Sequence, residues 1–353
     1  MKGPAIGVDP ALVDMMGAVF AEHRQTRPPA EVVERDRELW RRLDELGLVR
    51  LTGAEASGGS GAGWLEAAQL MAATVRSAVR IPLAEHDLLA CWLLDANGMA
   101  CDAAVRTVGL LDPAGVARKV PWAAGAERIV VLWHTDGQHR AADVDPRTLS
   151  ITPGTNMINE PRDTVVADLT NLPGVPVSAE LVDQLRLKSA LVRSIQLCAA
   201  LDAIVALSVD HATSRVQFGR PLSKFQAVQN QIADIAAESA LARAATEAAL
   251  RSAVTTDWSA PNLQFLVAVA RSCAGHAASV VVRNAHQVHG AIGTTREHRL
   301  HEFTRAALAW RSEFGSDQYW DGRITAAAVQ AGAAGLWGLI TETPPTARGA
   351  GPA

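Results

Sequence analysis

The sequence predicts a mainly helical protein, with a small β domain between an N-terminal helical domain and a C-terminal four-helix bundle. Apolar residues recur at helical spacing towards both ends of the chain, whereas short β-branched segments fill the middle. The 353 residues are enough for two or three domains. We expect the boundaries 1–104, 105–178 and 179–343, followed by a disordered tail at 344–353.

The N-terminal domain is predicted to contain amphipathic helices. Val32, Leu39, Leu43 and Leu46 share one face of a segment that ends at Gly47. Glycine in that position is a favoured helix C-cap, because it adopts a left-handed backbone without strain. The segment therefore predicts one helix packed on the core of this domain.

The central domain is predicted from four short segments separated by Gly, Pro and Asp. They are RTVGLL, RKVPWA, ERIVVLWH and DTVVADL, which begin at residues 106, 118, 127 and 163. Enrichment in β-branched residues between such breakers is typical of strands. Because the range 105–178 is too short for a large sandwich, we expect a compact barrel or a two-layer sheet.

The C-terminal half predicts four long helices with short connections, as in a helical bundle. They run from about Leu187, after Pro221, from about Pro261 and from Leu300. The helices from Leu187 and Pro261 are apolar over much of their circumference, which indicates burial. We expect their surfaces to pack against another subunit, since one small domain cannot cover so much apolar area.

Composition excludes several classes of protein. The net charge of −4 gives no general attraction to nucleic acid or to an anionic membrane surface. We expect no membrane span, because no uncharged apolar run reaches the required length. Asp9 and Asp14 interrupt the start of the chain, so we expect no signal peptide. The four cysteines are scattered without metal-ligand spacing, which favours thiols in a reducing cytoplasm.

The segment 214–234 joins two of the predicted helices through a polar turn. Gly219 and Pro221 cannot both lie inside a helix, so one helix ends near Phe218 and the next begins near Ser223. The polar residues around this junction are Arg215, Arg220, Lys224, Gln226, Gln229 and Gln231. Cations beside the free N–H groups of a helix start suit an anion such as a pyrophosphate.

This junction, RVQFGRPLSKFQAVQNQIAD, is followed by QVHGAIGTTREHRLHEFTRAA, which begins at Gln287. The two motifs and the order of the domains resemble the acyl-CoA dehydrogenase family, and LDELGLVRLTGAEASGGSG resembles its short actinobacterial branch. The resemblance covers most of the chain and is densest from Arg215 to Arg305. It implies the fold with an N-terminal helical domain, a central β domain and a C-terminal four-helix bundle.

The resemblance also implies an FAD site. Arg215, Gln217 and Phe218 match positions that contact FAD in the family, with Arg215 at the pyrophosphate and Gln226 at another polar part. The family uses the second motif of a neighbouring subunit for the ADP portion. Gln287, Gly290 and Gly293 match that motif, and we expect the two glycines to let the backbone approach the cofactor closely. Shared FAD sites would make the protein an obligate oligomer.

The catalytic base of the family has no clear counterpart in the sequence. In many members it is the Glu of a Tyr-Glu-Gly-Thr segment, and that position falls on Phe314. Glu313 is the candidate one residue earlier, but one residue rotates a helical side chain by about 100°. Other members carry the base near the start of the first bundle helix, around Ser189, where the sequence has no acid. We expect Glu313 to face solvent or to cap a helix end, because Gly315 follows it.

The family removes an α-proton of an acyl-CoA thioester with a carboxylate while the flavin takes hydride from the β-carbon. The resemblance therefore implies an FAD-dependent oxidoreductase of lipid or steroid catabolism. The TEP…GSD loop and WIT segment that hold the flavin ring in the family are absent, so only the ADP-binding half is kept. This combination is similar to the base-lacking subunit of α2β2 heterotetrameric, steroid-type members.

Three interpretations of the function follow from this combination. The first is a base-lacking, FAD-binding subunit that acts with a base-carrying partner on acyl-CoA and passes electrons to an electron-transfer flavoprotein or a similar acceptor. The second is a homo-oligomeric acyl-CoA dehydrogenase that uses Glu313. The third is a flavin-free structural or regulatory relic. The acyl group of the substrate cannot be inferred from these residues.

A metal site and a phosphate loop are the remaining candidates. His289 and His298 could ligate a metal, but no cysteine or acidic cluster accompanies them, so we predict no metal site. The glycine- and serine-rich stretch 57–63 lacks the Lys-Ser/Thr ending of a phosphate loop, and we predict a flexible linker there.

Overall fold

The computed structural model describes residues 7–27 and 32–341. The predicted tail at 344–353 lies outside the described residues. Within them, nine α-helices surround or flank a strand-rich middle, which confirms the predicted fold class. The helices are α1 Pro10–Thr26, α2 Arg37–Glu45, α3 Trp64–Arg76, α4 Trp92–Ala96, α5 Ala179–Ser214, α6 Gln226–Thr255, α7 Leu263–His289, α8 Leu300–Trp310 and α9 Asp317–Thr341. A π-helical segment, Ala84–Cys91, leads directly into α4.

The strands of the middle segment form two sheets, and a separate hairpin follows α5. The strands are β1 Arg106–Leu110, β2 Val116–Pro121, β3 Arg128–Thr135, β4 Gln138–Val144, β5 Ser150–Thr152, β6 Arg162–Val166, β7 Val175–Val177, β8 Val216–Gln217 and β9 Arg220–Pro221. One sheet has the order β1-β3-β4-β7 and the other β2-β6-β5. Strands β1 and β3 pair in parallel, and the other pairs are antiparallel. This arrangement is the two-sheet version of the predicted β domain.

Strand β3 explains why the sheets sit against the helices. Its side chains alternate between faces, so that Ile129, Val131 and Trp133 pack between the two sheets. Val130 and Leu132 pack on the opposite face, in the core shared with the helices. A strand buried on both faces requires a continuous apolar run, and the sequence supplies one.

The sequence pattern missed three strands of these sheets. Strand β4 lacks the alternating pattern of a strand, because it begins with three polar residues in succession, none of them buried. Strands β5 and β7 have three residues each and lie at sheet edges, so they carry too little pattern to be recognised. The predicted boundaries at 104/105 and 178/179 remain predictions, although one apolar core spans the N-terminal helices, the first sheet and the bundle.

The predicted subunit-facing helices are buried within the same chain. Helix α5 packs on α3, α6, α7 and α8, and α7 packs on α6 and α9, so their apolar surfaces are largely covered internally. The prediction that these two helices face another subunit is therefore wrong for most of their surface. Exposed apolar residues also occur on α9, which the sequence did not predict; they include Val329, Leu336, Trp337 and Ile340.

Three helices are long and apolar enough to cross a membrane by length and composition alone. Two of these stretches, Ala179–Ser214 and Leu263–Thr294, are mostly buried in the bundle. The third, Asp317–Thr341, is not buried in its apolar window and changes direction at Gly332, which has a φ of 61°. Long apolar helices are thus explained by internal packing in two of the three cases.

Two local predictions in the N-terminal region were wrong. Helix α2 begins only at Arg37, where the Asp36 carboxylate accepts hydrogen bonds from the first-turn amides, so Val32 lies outside it and is 68% exposed. The stretch 57–63 is not a loose linker, because its backbone and the Ser60 hydroxyl are hydrogen-bonded to the segment 47–53. A Cβ on Gly59 would lie 2.0 Å from the Gly53 carbonyl oxygen, which explains the need for glycine there.

Candidate functional site

The junction after α5 forms a small hairpin that projects from the bundle. Strands β8 and β9 pair Gln217 with Arg220, and the turn residues Phe218 and Gly219 have φ angles of 52° and 79°. Two positive φ angles in a two-residue turn match the twist of the flanking strands. The backbone amide of Leu222 donates to the Arg215 carbonyl and closes the base of the hairpin.

The side chains of this hairpin are exposed. Phe218 is 90% exposed, and Arg215 and Gln217 are also exposed. An aromatic residue in a left-handed conformation costs free energy, and within the described chain Phe218 gains only an edge contact with Phe225. The hairpin therefore offers a cation, an amide and an aromatic ring to a molecule outside the fold.

Helix α6 starts directly after this hairpin. Its first residue, Gln226, is exposed, and in this fully described helix no side chain caps the first-turn amides and no acid lies in the first turn. The Arg220 guanidinium lies over the Phe225 ring at 4.2 Å from its centroid, and the Gln229 amide donates to the Ser223 carbonyl. Free amides and nearby cations give this helix start a positive potential that suits a phosphate group.

The second predicted cofactor motif ends α7. Gln287 is exposed on the last turn, and Gly290 ends the helix with a φ of 63° and open space around its α-carbon. Gly293 differs, because a Cβ there would lie 2.9 Å from the Cβ of His289 and 3.0 Å from a methyl of Leu300. The small size of Gly293 thus lets α8 pack on α7, and its approach to the cofactor stays a prediction.

The two motifs lie at the same end of the bundle. His211, one turn before the end of α5, stacks on His289 at the end of α7, with ring centroids 4.5 Å apart. Residues that are far apart in sequence thus meet at this end of the bundle, with Arg215 just after His211 and Gly290 just after His289. The resemblance alone did not predict this juxtaposition within a single chain.

Glu313 lies in a buried cluster, contrary to the expectation that it faces solvent or caps a helix. Helix α8 ends at Trp310, and the turn that follows brings the Glu313 side chain towards β6 and α5. The Arg162 guanidinium donates to both of its oxygens, at 2.7 and 3.0 Å. Arg193 donates to Oε2 at 2.7 Å, and the Asn156 amide donates to Oε1 at 3.1 Å. Each oxygen therefore accepts two hydrogen bonds, which fills the acceptor capacity of a carboxylate.

The electrostatics of the cluster keep Glu313 ionised. Burial raises the pKa of its carboxyl, but the charges of Arg193 and Arg162 outweigh this effect and lower the pKa to about 2. Such a carboxylate is a weak base, because its lone pairs and its charge are already engaged.

The cluster continues into a second layer of ion pairs. Glu160 accepts hydrogen bonds from Arg162 at 2.8 Å and from the Trp310 indole at 2.9 Å, and its nearest oxygen is 3.9 Å from Arg80. Glu85 accepts a hydrogen bond from Arg193 at 2.8 Å. Three guanidiniums thus face three carboxylates, and the charges of the cluster balance. Buried ions in such a network satisfy one another and leave little room for a reacting substrate.

The turn that carries the family base position is held by hydrogen bonds from Arg271 on α7. The Arg271 guanidinium donates to the backbone carbonyls of Arg311, Glu313 and Gly315. Phe314, at the base position, has a φ of 54°, and the Arg193 guanidinium lies 5.2 Å from the centroid of its ring. The side chain that would carry the carboxylate in the family is therefore an aromatic ring beside a cation.

The alternative base position on α5 holds no acid either. The Ser189 hydroxyl donates to the Leu185 carbonyl within the helix. Beside it, the Lys188 ammonium group lies among the rings of Trp64, Trp92 and Trp258, at 4.7, 4.5 and 3.6 Å from their centroids. Burial lowers the pKa of Lys188 to about 6, against a smaller opposing effect of a nearby carboxylate. The missing acid is visible in the sequence, whereas this aromatic cage forms from tryptophans that are far apart along the chain.

With this geometry established, the comparisons with known proteins decide the family. The acyl-CoA dehydrogenase N-terminal domain matches residues 11–100, and the acyl-CoA dehydrogenase C-terminal domain matches residues 177–329. The chain belongs to the acyl-CoA dehydrogenase family. It is thus a member of a family of oxidoreductases, as predicted. Neither match includes residues 101–176, which hold nearly all of the β domain. This gap agrees with the absence of the family's flavin-ring motifs from that part of the sequence.

Individual relatives give the same family. Acyl-CoA dehydrogenase IpdE2 of Mycobacterium tuberculosis is 28% identical over 281 residues, which cover 77% of this chain and 80% of that protein. IpdE2 of Mycolicibacterium smegmatis is 27% identical over 278 residues, covering 77% and 82%.

Solved structures share the fold. The ChsE4-ChsE5 complex from Mycobacterium tuberculosis contains a chain that matches with a TM-score of 0.78 at 21% identity, covering 93% of this chain and 99% of that one. A variant of the Tcur3481-Tcur3483 steroid ACAD matches with a TM-score of 0.79 at 20% identity, covering 91% and 97%. Butyryl-CoA dehydrogenase from Megasphaera elsdenii matches with a TM-score of 0.77 at 17% identity, covering 93% and 99%.

The residues that matter most around Glu313 were missed by sequence reasoning. Asn156, Arg162 and Arg193 come from the segment before β6, from β6 itself and from α5. An arginine in the middle of the apolar helix α5 was the one available signal, because such a residue is rarely buried without a partner. It pointed to a buried carboxylate without identifying it.

Proposed function

We propose that the chain is the base-lacking, FAD-binding subunit of a two-subunit acyl-CoA dehydrogenase. The partner subunit would supply the carboxylate that removes the α-proton of the acyl-CoA thioester. The present chain would complete the cofactor site at the exposed end of its bundle. The state of Glu313 and Phe314 carries this proposal.

A general base must have a free lone pair within reach of the proton and a pKa near the working pH. Both oxygens of Glu313 accept two hydrogen bonds each, and its pKa is lowered to about 2. Freeing this carboxylate would leave Arg162 and Arg193 buried without their partner, which is expensive. The geometry therefore argues against the homo-oligomeric enzyme that uses Glu313.

The residues at the hairpin fit the ADP and pyrophosphate part of FAD. Arg215 can neutralise a pyrophosphate charge, and the uncapped amides at the start of α6 can donate to its oxygens. Gln217, Gln226 and Gln287 are exposed amides that can bond the other polar groups of the cofactor. Bound FAD would supply the acceptor for the hydride that leaves the β-carbon. Phe218 would cover an apolar part of the cofactor.

The similarity to two-component proteins supports the partner subunit. Two of the structures with the same fold are named as pairs, ChsE4-ChsE5 and Tcur3481-Tcur3483, and the second is described as a steroid ACAD. From these relatives we infer a CoA thioester with a bulky acyl group, such as a steroid side chain, as the substrate. The exposed apolar residues of α9 and the hairpin are the surfaces that we expect an oligomer to cover.

The test compares the chain alone with the chain co-expressed with a base-carrying acyl-CoA dehydrogenase subunit. Visible spectra measure flavin retention, and anaerobic bleaching with a panel of acyl-CoA and steroid-CoA thioesters measures dehydrogenation. We expect no bleaching by the FAD-loaded chain alone and bleaching by the complex. Glu313→Gln is compared with Glu297→Gln, a control on the exposed segment before α8.

The outcomes separate the three interpretations. Bleaching by the chain alone that Glu313→Gln abolishes and Glu297→Gln retains would show a complete homo-oligomeric enzyme. A chain that retains no flavin with or without a partner would be a flavin-free relic. Bleaching by the complex, with a Glu313→Gln complex that still turns over, supports the proposed division of labour.

A further inference from the structure

Beyond the proposed function, we propose that His211, His289 and His298 form a binding site for a divalent transition metal, with Zn²⁺ as the expected ion. One ligand nitrogen from each ring lies within 4.8 Å of the others. The three residues come from the end of α5, the end of α7 and the connection before α8. No metal site was predicted at His289 and His298, because no cysteine or acidic cluster accompanies them in the sequence; the fold adds His211 to the pair.

His289 is the anchor of this site. It is only 5% exposed, and its Nδ1 lies 2.7 Å from the Ala285 carbonyl oxygen. A proton on Nδ1 makes that hydrogen bond and leaves the lone pair on Nε2, which is the tautomer found in metal-binding histidines. Within the described residues, Nε2 of His289 has no hydrogen-bond partner.

The other two rings form the open side of the site. His211 stacks on His289, and His298 packs edge-on against it with ring centroids 4.7 Å apart. Both are half-buried, so an ion can reach them from solvent. Because Zn–N bonds are about 2.0–2.1 Å long, the nitrogens must close to roughly 3.3 Å apart. Metal binding therefore requires the half-buried His211 and His298 rings to rotate towards the buried His289 ring.

His298 must exchange one hydrogen bond to ligate the ion. Its Nδ1 now accepts from the Leu300 amide at 3.1 Å. Ligation through Nδ1 displaces that amide, and ligation through Nε2 requires the proton to move to Nδ1. The charge of Arg215 lies near His211 and opposes a cation, and Asp210 acts in the opposite direction. The site is therefore expected to bind with moderate rather than structural affinity.

The donor set determines the kind of ion. Three neutral imidazoles suit Zn²⁺, Ni²⁺ or Cu²⁺ and disfavour the oxygen-seeking Mg²⁺ and Ca²⁺. Three protein ligands leave the fourth tetrahedral position to water or to another ligand, as in open zinc sites. The inference does not depend on flavin binding, since all three ligands belong to this chain.

The test uses the full chain after removal of any histidine tag, bound flavin and metal. Zn²⁺ titration by calorimetry measures stoichiometry, and Co²⁺ titration reports tetrahedral coordination in the visible spectrum. We expect one ion per chain. His211→Gln and His298→Gln should each weaken Zn²⁺ binding by at least about tenfold. Loss of a residue that only hydrogen-bonds to a metal ligand already weakens metal affinity by about 10- to 100-fold. The control is the double variant His134→Gln/His139→Gln, a cross-strand histidine pair in the β domain with ring centroids 4.8 Å apart.

Binding that is lost in His211→Gln and His298→Gln and kept in the control supports the site. His289→Gln should abolish binding as well; if that buried variant fails to fold, the two half-exposed variants decide. Binding below one ion per chain, or an equal loss in the control, overturns the proposal. Because the titrations use flavin-free protein, a failure of the proposed FAD role leaves this result unaffected.

Discussion

The two ends of the family's active site differ sharply in how their charges are treated. At the hairpin, Arg215 and Gln226 are exposed and the first amides of α6 are uncapped. Both oxygens of Glu313 accept hydrogen bonds from the same chain, and Arg162 and Arg193 are buried. The polar groups of the hairpin are exposed to solvent, whereas those around Glu313 are paired with one another. The exposed hairpin thus presents groups that the proposed cofactor could bind, whereas the carboxylate beside the family's base position is held by ion pairs within the chain.

The largest effect is expected from a substitution that breaks the ion-pair cluster around Glu313. Arg193→Met should destabilise the fold by about 3–5 kcal/mol, because it leaves Glu85 buried without its counter-charge and removes one of the two guanidiniums that hold Glu313. Urea unfolding measures this change. Arg186→Met, on the exposed face of the same helix, is the matched control and should change stability by less than about 0.5 kcal/mol.

A double variant sharpens that prediction. Arg193→Met combined with Glu313→Gln should recover part of the lost stability, because the buried carboxylate that lost one of its two guanidiniums is replaced by a neutral amide. Equal stability of Arg193→Met and Arg186→Met would show that the cluster is hydrated and open. Glu313 would then be available as a base, contrary to the proposed function.

The next largest effect is expected at the exposed hairpin after α5. Arg215→Ala should weaken FAD binding about ten- to a hundredfold, since charge-assisted hydrogen bonds contribute roughly 1.5–3 kcal/mol each. Fold stability should stay the same, because Arg215 is exposed. Flavin retention by the chain with its partner is the measurement, and Arg251→Ala on the exposed face of α6 is the control. Equal retention by both variants would remove Arg215 from the cofactor site.

Sequence patterns predicted the elements that depend on local spacing and failed where distant residues meet. The helices α5 to α8 and strand β3 follow from periodicity and breakers, and their cores behave as expected. Glu313 was assigned to the surface because Gly315 follows it, and this local signal was overridden by Arg162 and Arg193. His211 joins His289 for the same reason, through bundle packing that no spacing in the sequence encodes.

A smaller effect concerns the pH dependence of stability. The pKa of Lys188 is lowered to about 6 in the folded chain, so between pH 6 and its unfolded value of 10.5 the unfolded chain binds one more proton. Stability should therefore rise with pH in this window, by at most about 1.4 kcal/mol per pH unit. Lys188→Met should be more stable than wild type at pH 7, and the difference should shrink as the pH rises.

The tryptophans around Lys188 make this a strict test. Cation–π contacts with three rings favour the charged form and oppose the effect of burial. Thermal unfolding from pH 7 to 9 shows whether burial keeps Lys188 neutral or the rings keep it charged. The control is Lys224→Met, at an exposed lysine of the junction. Parallel pH profiles for wild type and Lys188→Met would mean that the rings hold the lysine protonated.

The smallest effect is expected at Phe218 in the hairpin, where one substitution should raise fold stability and lower FAD retention. Phe218 has a φ of 52° and is 90% exposed, so it contributes strain without burial. Phe218→Asn should stabilise the fold by roughly 1 kcal/mol, because asparagine tolerates the left-handed conformation of this turn. If the ring covers the cofactor, the same variant should retain less FAD in the complex. Val216→Thr, an exposed neighbour on β8, should change neither quantity. A more stable Phe218→Asn variant with full flavin retention would instead place the ring outside the site and leave Arg215 and the α6 amides as the contacts that hold the pyrophosphate.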